Sequence, residues 1–235
     1  MSAGSFDQPP VIIGHRGAAG LVPENTLPSF AAAVEHGVQA VELDVHLAEG
    51  ELVVIHDPTL ERTTSGTGQV ADTPLAELRA LDAGQGARIP TLTEIFDLLP
   101  ASVGINIELK GAGTGPAVAH WLGIPSERDV LISSFDHEAL RSFRALRKDY
   151  PVAPLFSRWR PDALKIAQAF EGGYINLSRK LATARRLEAI GAAGLRALIY
   201  TVNDPAEARA LVRAGAWGLF TDFPDRINRA TVGID

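Results

Sequence analysis

The 235-residue chain has no cysteine, and that one absence excludes disulfides, thiolate metal sites and cysteine nucleophiles together. It has no apolar run of transmembrane length, and residues 1–8 carry neither the basic start nor the apolar stretch of a secretory signal. Cytoplasmic residence without stable membrane insertion is therefore the expectation. Positive charge is not in excess: 22 Lys and Arg stand against 28 Asp and Glu, a formal net charge of −6. That balance excludes a broad electrostatic attraction for nucleic acid, so any phosphate has to be bound locally. No low-complexity stretch divides the chain, so residues 1–235 are expected to form a single domain, with residues 1–8 its one unstructured tail. Trp121, Trp159 and Trp217 fit core, pocket or surface equally well, and oligomeric state has no signature.

What is present is a regular alternation of short β-branched or apolar runs with longer stretches of helical periodicity. Strands are predicted at residues 11–14, 40–46, 104–110, 130–133, 152–156, 174–177, 197–202 and 218–221. Helix signals lie between them. Asn25-Thr26 caps a helix to His36 that Gly37 stops, Asp204-Pro205 opens one ending at Gly215, and Pro161-Asp162 opens one to Phe170. Eight βα units predict a (β/α)8 TIM barrel. One interval breaks the rhythm. Residues 51–55 read as a strand directly after Glu49-Gly50, and residues 57–103 form an insertion after the second barrel strand, with small helices at 72–81 and 93–99.

Side chains alternate along a strand, so Glu42, Asp44 and His46 share one face of the second strand while Val41, Leu43 and Val45 share the other. Asn106, Glu108 and Lys110 do the same on the next barrel strand. Polar interiors on two neighbouring strands are unusual in a barrel normally filled with branched apolar chains. Burying several carboxylates is costly without compensation, and a cation is the expected compensator. An all-oxygen set of Glu42, Asp44 and Glu108 suits one hard divalent cation, Mg²⁺ or Ca²⁺, although a salt-bridge network with Arg16 and Lys110 uses the same residues. His15 and Arg16 end the first strand, and His56-Asp57 ends the run 52–55. Two strand-end histidines beside a carboxylate cluster make an acid and base pair. Phosphodiester cleavage needs a proton removed, a proton donated and phosphoryl charge neutralised, and this set offers all three. Asp57 either orients His56 or opens the loop before Pro58. His36, His120 and His137 lack acidic or strand-end partners and are read as structural.

In order and spacing, His15-Arg16-Gly17, Pro23-Glu24-Asn25-Thr26, Glu42-Leu43-Asp44-Val45, His56-Asp57 and Glu108-Leu109-Lys110 resemble the motifs of the glycerophosphodiester phosphodiesterase family. Tyr200-Thr201-Val202-Asn203 and Gly218-Leu219-Phe220-Thr221-Asp222-Phe223-Pro224 extend the resemblance to residues 11–227. It implies hydrolysis of small glycerophosphodiesters to glycerol 3-phosphate and an alcohol. It further implies His15 and His56 as the acid/base pair, Glu42, Asp44 and Glu108 as metal ligands, and Arg16 as the phosphate contact, with Glu24, Asn25 and Lys110 lining or bracing the site. Attack by water and attack by the glycerol 2-hydroxyl through a cyclic phosphate both remain open. Tyr200 stands where relatives commonly carry tryptophan, and the segment 111–128 is short and rich in Gly and Pro, reducing the predicted helix there to 117–122. Phe135, Trp159 and Tyr200, with Arg158 and Phe223, are expected to line the alcohol side of the pocket. The competing readings are a lysophospholipase D-like cleavage of lysophospholipids, a sugar-phosphate isomerase or aldolase on the same barrel, and a catalytically silent barrel that binds phosphate ligands.

Overall fold

The computed structural model describes residues 4–123 and 128–233. Among them, β1 (Val11–His15), β2 (Ala40–Ala48), β3 (Glu51–Val54), β4 (Gly104–Leu109), β5 (Val130–Ser134), β6 (Val152–Phe156), β7 (Tyr174–Ser178), β8 (Arg196–Tyr200) and β9 (Gly218–Thr221) form one sheet. Every strand except β3 runs parallel to its neighbours, and the β1–β2 pairing closes the circle into an eight-stranded TIM barrel. β3 folds back antiparallel on the far end of β2, with His46 opposite Val53. The predicted alternation of strands and helices is thus realised.

The helices are α1 (Leu27–Glu35), α2 (Leu75–Leu78), α3 (Leu92–Leu98), α4 (Thr114–Trp121), α5 (His137–Leu146), α6 (Ala163–Ala169), α7 (Ala184–Ala192) and α8 (Pro205–Arg213), and α1, α3, α5, α7 and α8 begin at a side-chain cap. Thr26 accepts from the Ser29 amide, Asp204 from the Glu207 amide, and Thr91 with Glu94 forms a reciprocal capping box. The predicted helix at 72–81 is instead a 3-10 turn, Val70–Asp72, followed by the single turn of α2, because Pro74 supplies no amide hydrogen where the two would join. α4 starts three residues before the predicted 117: Pro116 sits in its first turn, where no intrahelical donor is needed.

The two strand faces separate as the pleat requires. Val41, Leu43 and Val45 of β2 and Ile105, Ile107 and Leu109 of β4 pack outward with Phe30, Ile95 and Val118 of the helical layer. Inside, Ile13, Leu131, Leu198 and Phe220 fill the lower barrel. Phe6 stoppers that end, which corrects the expectation of an unstructured tail through residue 8. Residues Ser5–Asp7 form a 3-10 turn, the Phe6 ring meets Tyr174 edge-on at 6.4 Å, and its carbonyl accepts from Trp217 Nε1 at 2.8 Å. A side chain at Gly104 would come within 2.8 Å of the Phe6 ring, so glycine is what lets the plug seat. The excursion between β3 and β4 has a small core of its own around Leu60, Val70, Leu78 and Ile89.

Candidate active site

With the lower barrel filled by apolar side chains, the polar residues collect at the C-terminal ends of the strands, the end where barrels of this kind place their chemistry. Glu42 lies in register with Asn106, and Asp44 with Glu108, so two inward pairs stack along β2 and β4. A cavity of about 200 Å³ opens there, lined among others by His15, Arg16, Glu42, His56, Glu108 and Tyr200.

Glu42, Asp44 and Glu108 are buried, and one oxygen from each lies within 4.8 Å of the others, the one such trio among the described residues. Burial raises the Glu42 carboxyl well above its ordinary range, and repulsion from Asp44 and Glu108 adds to it. Glu108 is pushed up to about 7 by burial and by Asp44. Asp44 behaves oppositely: burial opposes its ionisation, but Lys110 and Arg16 hold its pKa below the usual value. Lys110 Nζ lies 2.5 Å from Glu108 Oε1 and 3.3 Å from Asp44 Oδ1, yet both oxygens lack a well-oriented hydrogen-bond donor. Three clustered carboxylates, two of them with raised pKa values, form an oxygen set that fits a hard divalent cation.

Both site histidines are tied through Nδ1 to a carboxylate. His15 Nδ1 is 2.6 Å from Asp222 Oδ1, and Asn203 Nδ2 donates to the other Asp222 oxygen at 2.7 Å. His56 Nδ1 is 2.5 Å from Asp57 Oδ1. With Nδ1 as the donor in each pair, Nε2 is left to exchange protons. His15 Nε2 lies 4.0 Å from Glu42 and His56 Nε2 3.3 Å from Lys110 Nζ. Burial and the nearby Lys110 charge lower the His56 pKa, favouring its neutral form. Asp57 is thus placed to orient His56. Arg62 donates to Asp57 from Nε at 2.5 Å and holds that carboxyl far below its ordinary range.

Arg16 is positioned by its own backbone. At a φ of 52° it occupies the left-handed region, which aims its amide at Glu42 Oε2, 2.9 Å away. Its guanidinium reaches Glu24 at 2.7 Å and Asp44 at 3.3 Å. Glu24 also accepts two bonds from Arg62, at 2.8 and 3.0 Å, so a continuous chain runs from Arg16 through Glu24, Arg62 and Asp57 to His56. Asn25, itself at a φ of 58°, donates to Asp44 at 2.9 Å.

His15, Arg16, Glu42, His56 and Glu108 therefore meet at one cavity. Asp44 is fully enclosed beside it behind Arg16, Asn25 and Lys110. Glu24 and Asn25 line a smaller adjoining cleft with His56. Phe135 and Tyr200 line the cavity and meet edge-on at 5.7 Å. Trp159, Arg158 and Phe223 are not among its lining residues: the Trp159 indole lies under Arg186, and Phe223 packs against Arg226. His46 is buried and bonds the His56 carbonyl at 3.1 Å, bracing the β2–β3 hairpin. Asp222, Asn203 and Arg62 had no role assigned from the sequence, although the first two lie in the family motifs; Asn106 was placed only on the inward face, and Ser133 and Asn176 of the cavity wall were not singled out. Asp222 was findable, since it directly follows β9 at the end where the histidines sit. Arg62 had no comparable signal.

The model of the glycerophosphoryl diester phosphodiesterase family matches residues 15–226. The chain is 36% identical to YhdW of Bacillus subtilis over 92% of its own length and 96% of the relative's. It is 34% identical, over the same shares, to a glycerophosphodiester phosphodiesterase of Caldanaerobacter subterraneus. Among solved structures, an Oleispira antarctica phosphodiesterase in complex with the product sn-glycerol-3-phosphate superposes with a TM-score of 0.91 at 32% identity, covering 97% of this chain and 99% of that one. The chain belongs to the glycerophosphoryl diester phosphodiesterase family.

Proposed function

We propose that the protein hydrolyses small glycerophosphodiesters to glycerol 3-phosphate and an alcohol in a metal-dependent reaction, with His15 and His56 moving the protons. The observation that carries this reading is the pairing of two cavity-lining imidazoles, each fixed through Nδ1 by its own carboxylate, across a buried carboxylate trio. The product held by the Oleispira relative supports the glycerol phosphate half of the substrate.

Glu42, Asp44 and Glu108 would hold one divalent cation, Mg²⁺ or Ca²⁺, which when bound neutralises charge on the phosphoryl oxygens. Arg16 meets the phosphate from the side of β1, its guanidinium fixed by Glu24. One imidazole takes a proton from the attacking hydroxyl at its Nε2. The other gives one to the leaving alcohol at its Nε2. Asp222 and Asp57 keep each ring in the tautomer and orientation this exchange requires. The same two groups serve attack by water or by the glycerol 2-hydroxyl.

The test is a substrate panel run on stripped and metal-reloaded protein, reading glycerol 3-phosphate release from glycerophosphocholine, glycerophosphoethanolamine and glycerophosphoglycerol. Release that stops with a chelator and returns with Mg²⁺ or Ca²⁺ is expected. Full turnover by metal-free protein would remove the cation from the reading. A chain that binds phosphate without turning over any diester would be a silent barrel.

A further inference from the structure

We infer that Asn176 and Asn106, on the inner wall of the cavity, are specificity residues that read the glycerol hydroxyls. The glycerol end of the substrate then points into the barrel and the alcohol toward the mouth. The inference rests on the diesterase reading above and assigns a direction and a contact within it.

Asn176 is 1% exposed, and neither its side-chain oxygen nor its nitrogen has a hydrogen-bond partner among the described residues. Asn106 is fully buried; its Nδ2 donates to Ser133 Oγ at 2.7 Å, and its Oδ1 has no partner. Both asparagines and Ser133 line the cavity that holds His15, Glu42 and Glu108. Buried amides in native proteins are almost always satisfied, so amides left open toward a cavity mark groups that a ligand completes.

The chemistry of these groups selects the ligand. Two amide oxygens accept, while the Asn176 amide and the Ser133 hydroxyl donate, and no charge lies among the three. An ionised phosphate only accepts and would face repulsion from both amide oxygens. A quaternary ammonium neither donates nor accepts. A hydroxyl does both, and adjacent hydroxyls on a short polyol match the mixed set. Depth agrees: Asn106 lies two residues before Glu108 on the same strand face, about 7 Å back along the strand and level with Glu42. Leu131 and Leu198, which stand beside Asn106 and Asn176 in register, belong to the apolar packing of the lower barrel, so the asparagines mark the inner limit of the polar wall. At the outer end stand the half-buried Tyr200 and the exposed Phe135, which fit a variable alcohol.

The test compares the metal-loaded wild type with Asn176→Leu, a near-isosteric change, on glycerophosphocholine and on bis(p-nitrophenyl) phosphate, a diester without glycerol. The ratio of kcat/KM for the first over the second should fall about 10²-fold, as expected when a buried site loses its partner for a substrate hydroxyl. An unchanged ratio, whether both activities drop or neither does, overturns the inference. If Asn176→Leu does not fold, judged by its thermal transition, Asn176→Ser and Asn106→Ser are read by the same ratio. A wild type that cleaves bis(p-nitrophenyl) phosphate but not glycerophosphodiesters would fail the substrate reading itself, before any variant is compared.

Discussion

His15 and Asp222 are 207 residues apart in the chain and 2.6 Å apart in the barrel, the imidazole Nδ1 facing one carboxylate oxygen. They meet because β1 and β9 are neighbours in the closed sheet, with Gly14 in register with Thr221, so the residues that follow each stand side by side at the mouth. The first and last strands together build one half of the proton-transfer apparatus proposed above.

Asp222→Asn should lower kcat by an amount approaching the roughly 10²- to 10⁴-fold expected of His15→Ala. An asparagine amide at this place can hold the wrong tautomer. Since the two residues act as one unit, the double variant should be no slower than His15→Ala alone. Steady-state kinetics on the three variants decide it, and additive losses would mean that Asp222 acts on something other than His15.

Arg62→Ala should reduce kcat about tenfold while leaving the thermal midpoint nearly unchanged. The side chain is half-exposed, so its contribution to folding is small, but it holds both Asp57 and Glu24 in place. Arg62→Lys, which cannot make the forked contact, should restore little. Wild-type turnover in Arg62→Ala would show that Asp57 needs no external support.

Cation affinity should rise with pH between about 5 and 8. Glu108 is pushed up to about 7 and burial raises Glu42 well above its ordinary range, so on the acid side of this window a cation must displace protons to bind. Calorimetry in two buffers of different ionisation enthalpy should show proton release. The sign for stability follows. A carboxyl whose folded pKa is raised from 4.5 to about 7 contributes stability below 4.5 that is lost as pH rises through 7. The metal-free protein should therefore melt lower at pH 8 than at pH 5.5 so far as Glu108 governs it, and added cation should remove most of that difference.

Lysophosphatidylcholine should be a poor substrate beside glycerophosphocholine. Its acyl chain sits on the glycerol, the end assigned to the enclosed inner part of a cavity of about 200 Å³. Comparable kcat/KM values for the two would favour lysophospholipase D-like cleavage and reverse the assigned direction.

Phe6→Ala should destabilise the fold by about 3 to 5 kcal/mol, the usual range for emptying a buried phenylalanine site, with kcat little changed. Denaturant unfolding measures it. A cost near zero would show that the plug is dispensable to the barrel.

The sequence alone determined much of this protein. Strand and helix alternation, the caps at Thr26 and Asp204, and the two-residue period that turns Glu42, Asp44 and Glu108 inward are local properties, set by a few neighbouring residues, and they were readable before any fold was known. Tertiary structure decided the partnerships. Nothing near His15 in the chain announces Asp222 or Asn203, and nothing near Phe6 announces Trp217, because those contacts depend on closure of the barrel between β1 and its two neighbours. Trp159 shows the converse: a strand-end position suggested the pocket, but packing turned its ring under Arg186. Alternation along a strand says which face a residue takes, while only the register between strands says what it meets there. The open amides of Asn106 and Asn176 belong to this second kind of information, since a missing hydrogen-bond partner becomes visible only when the surrounding wall is in place.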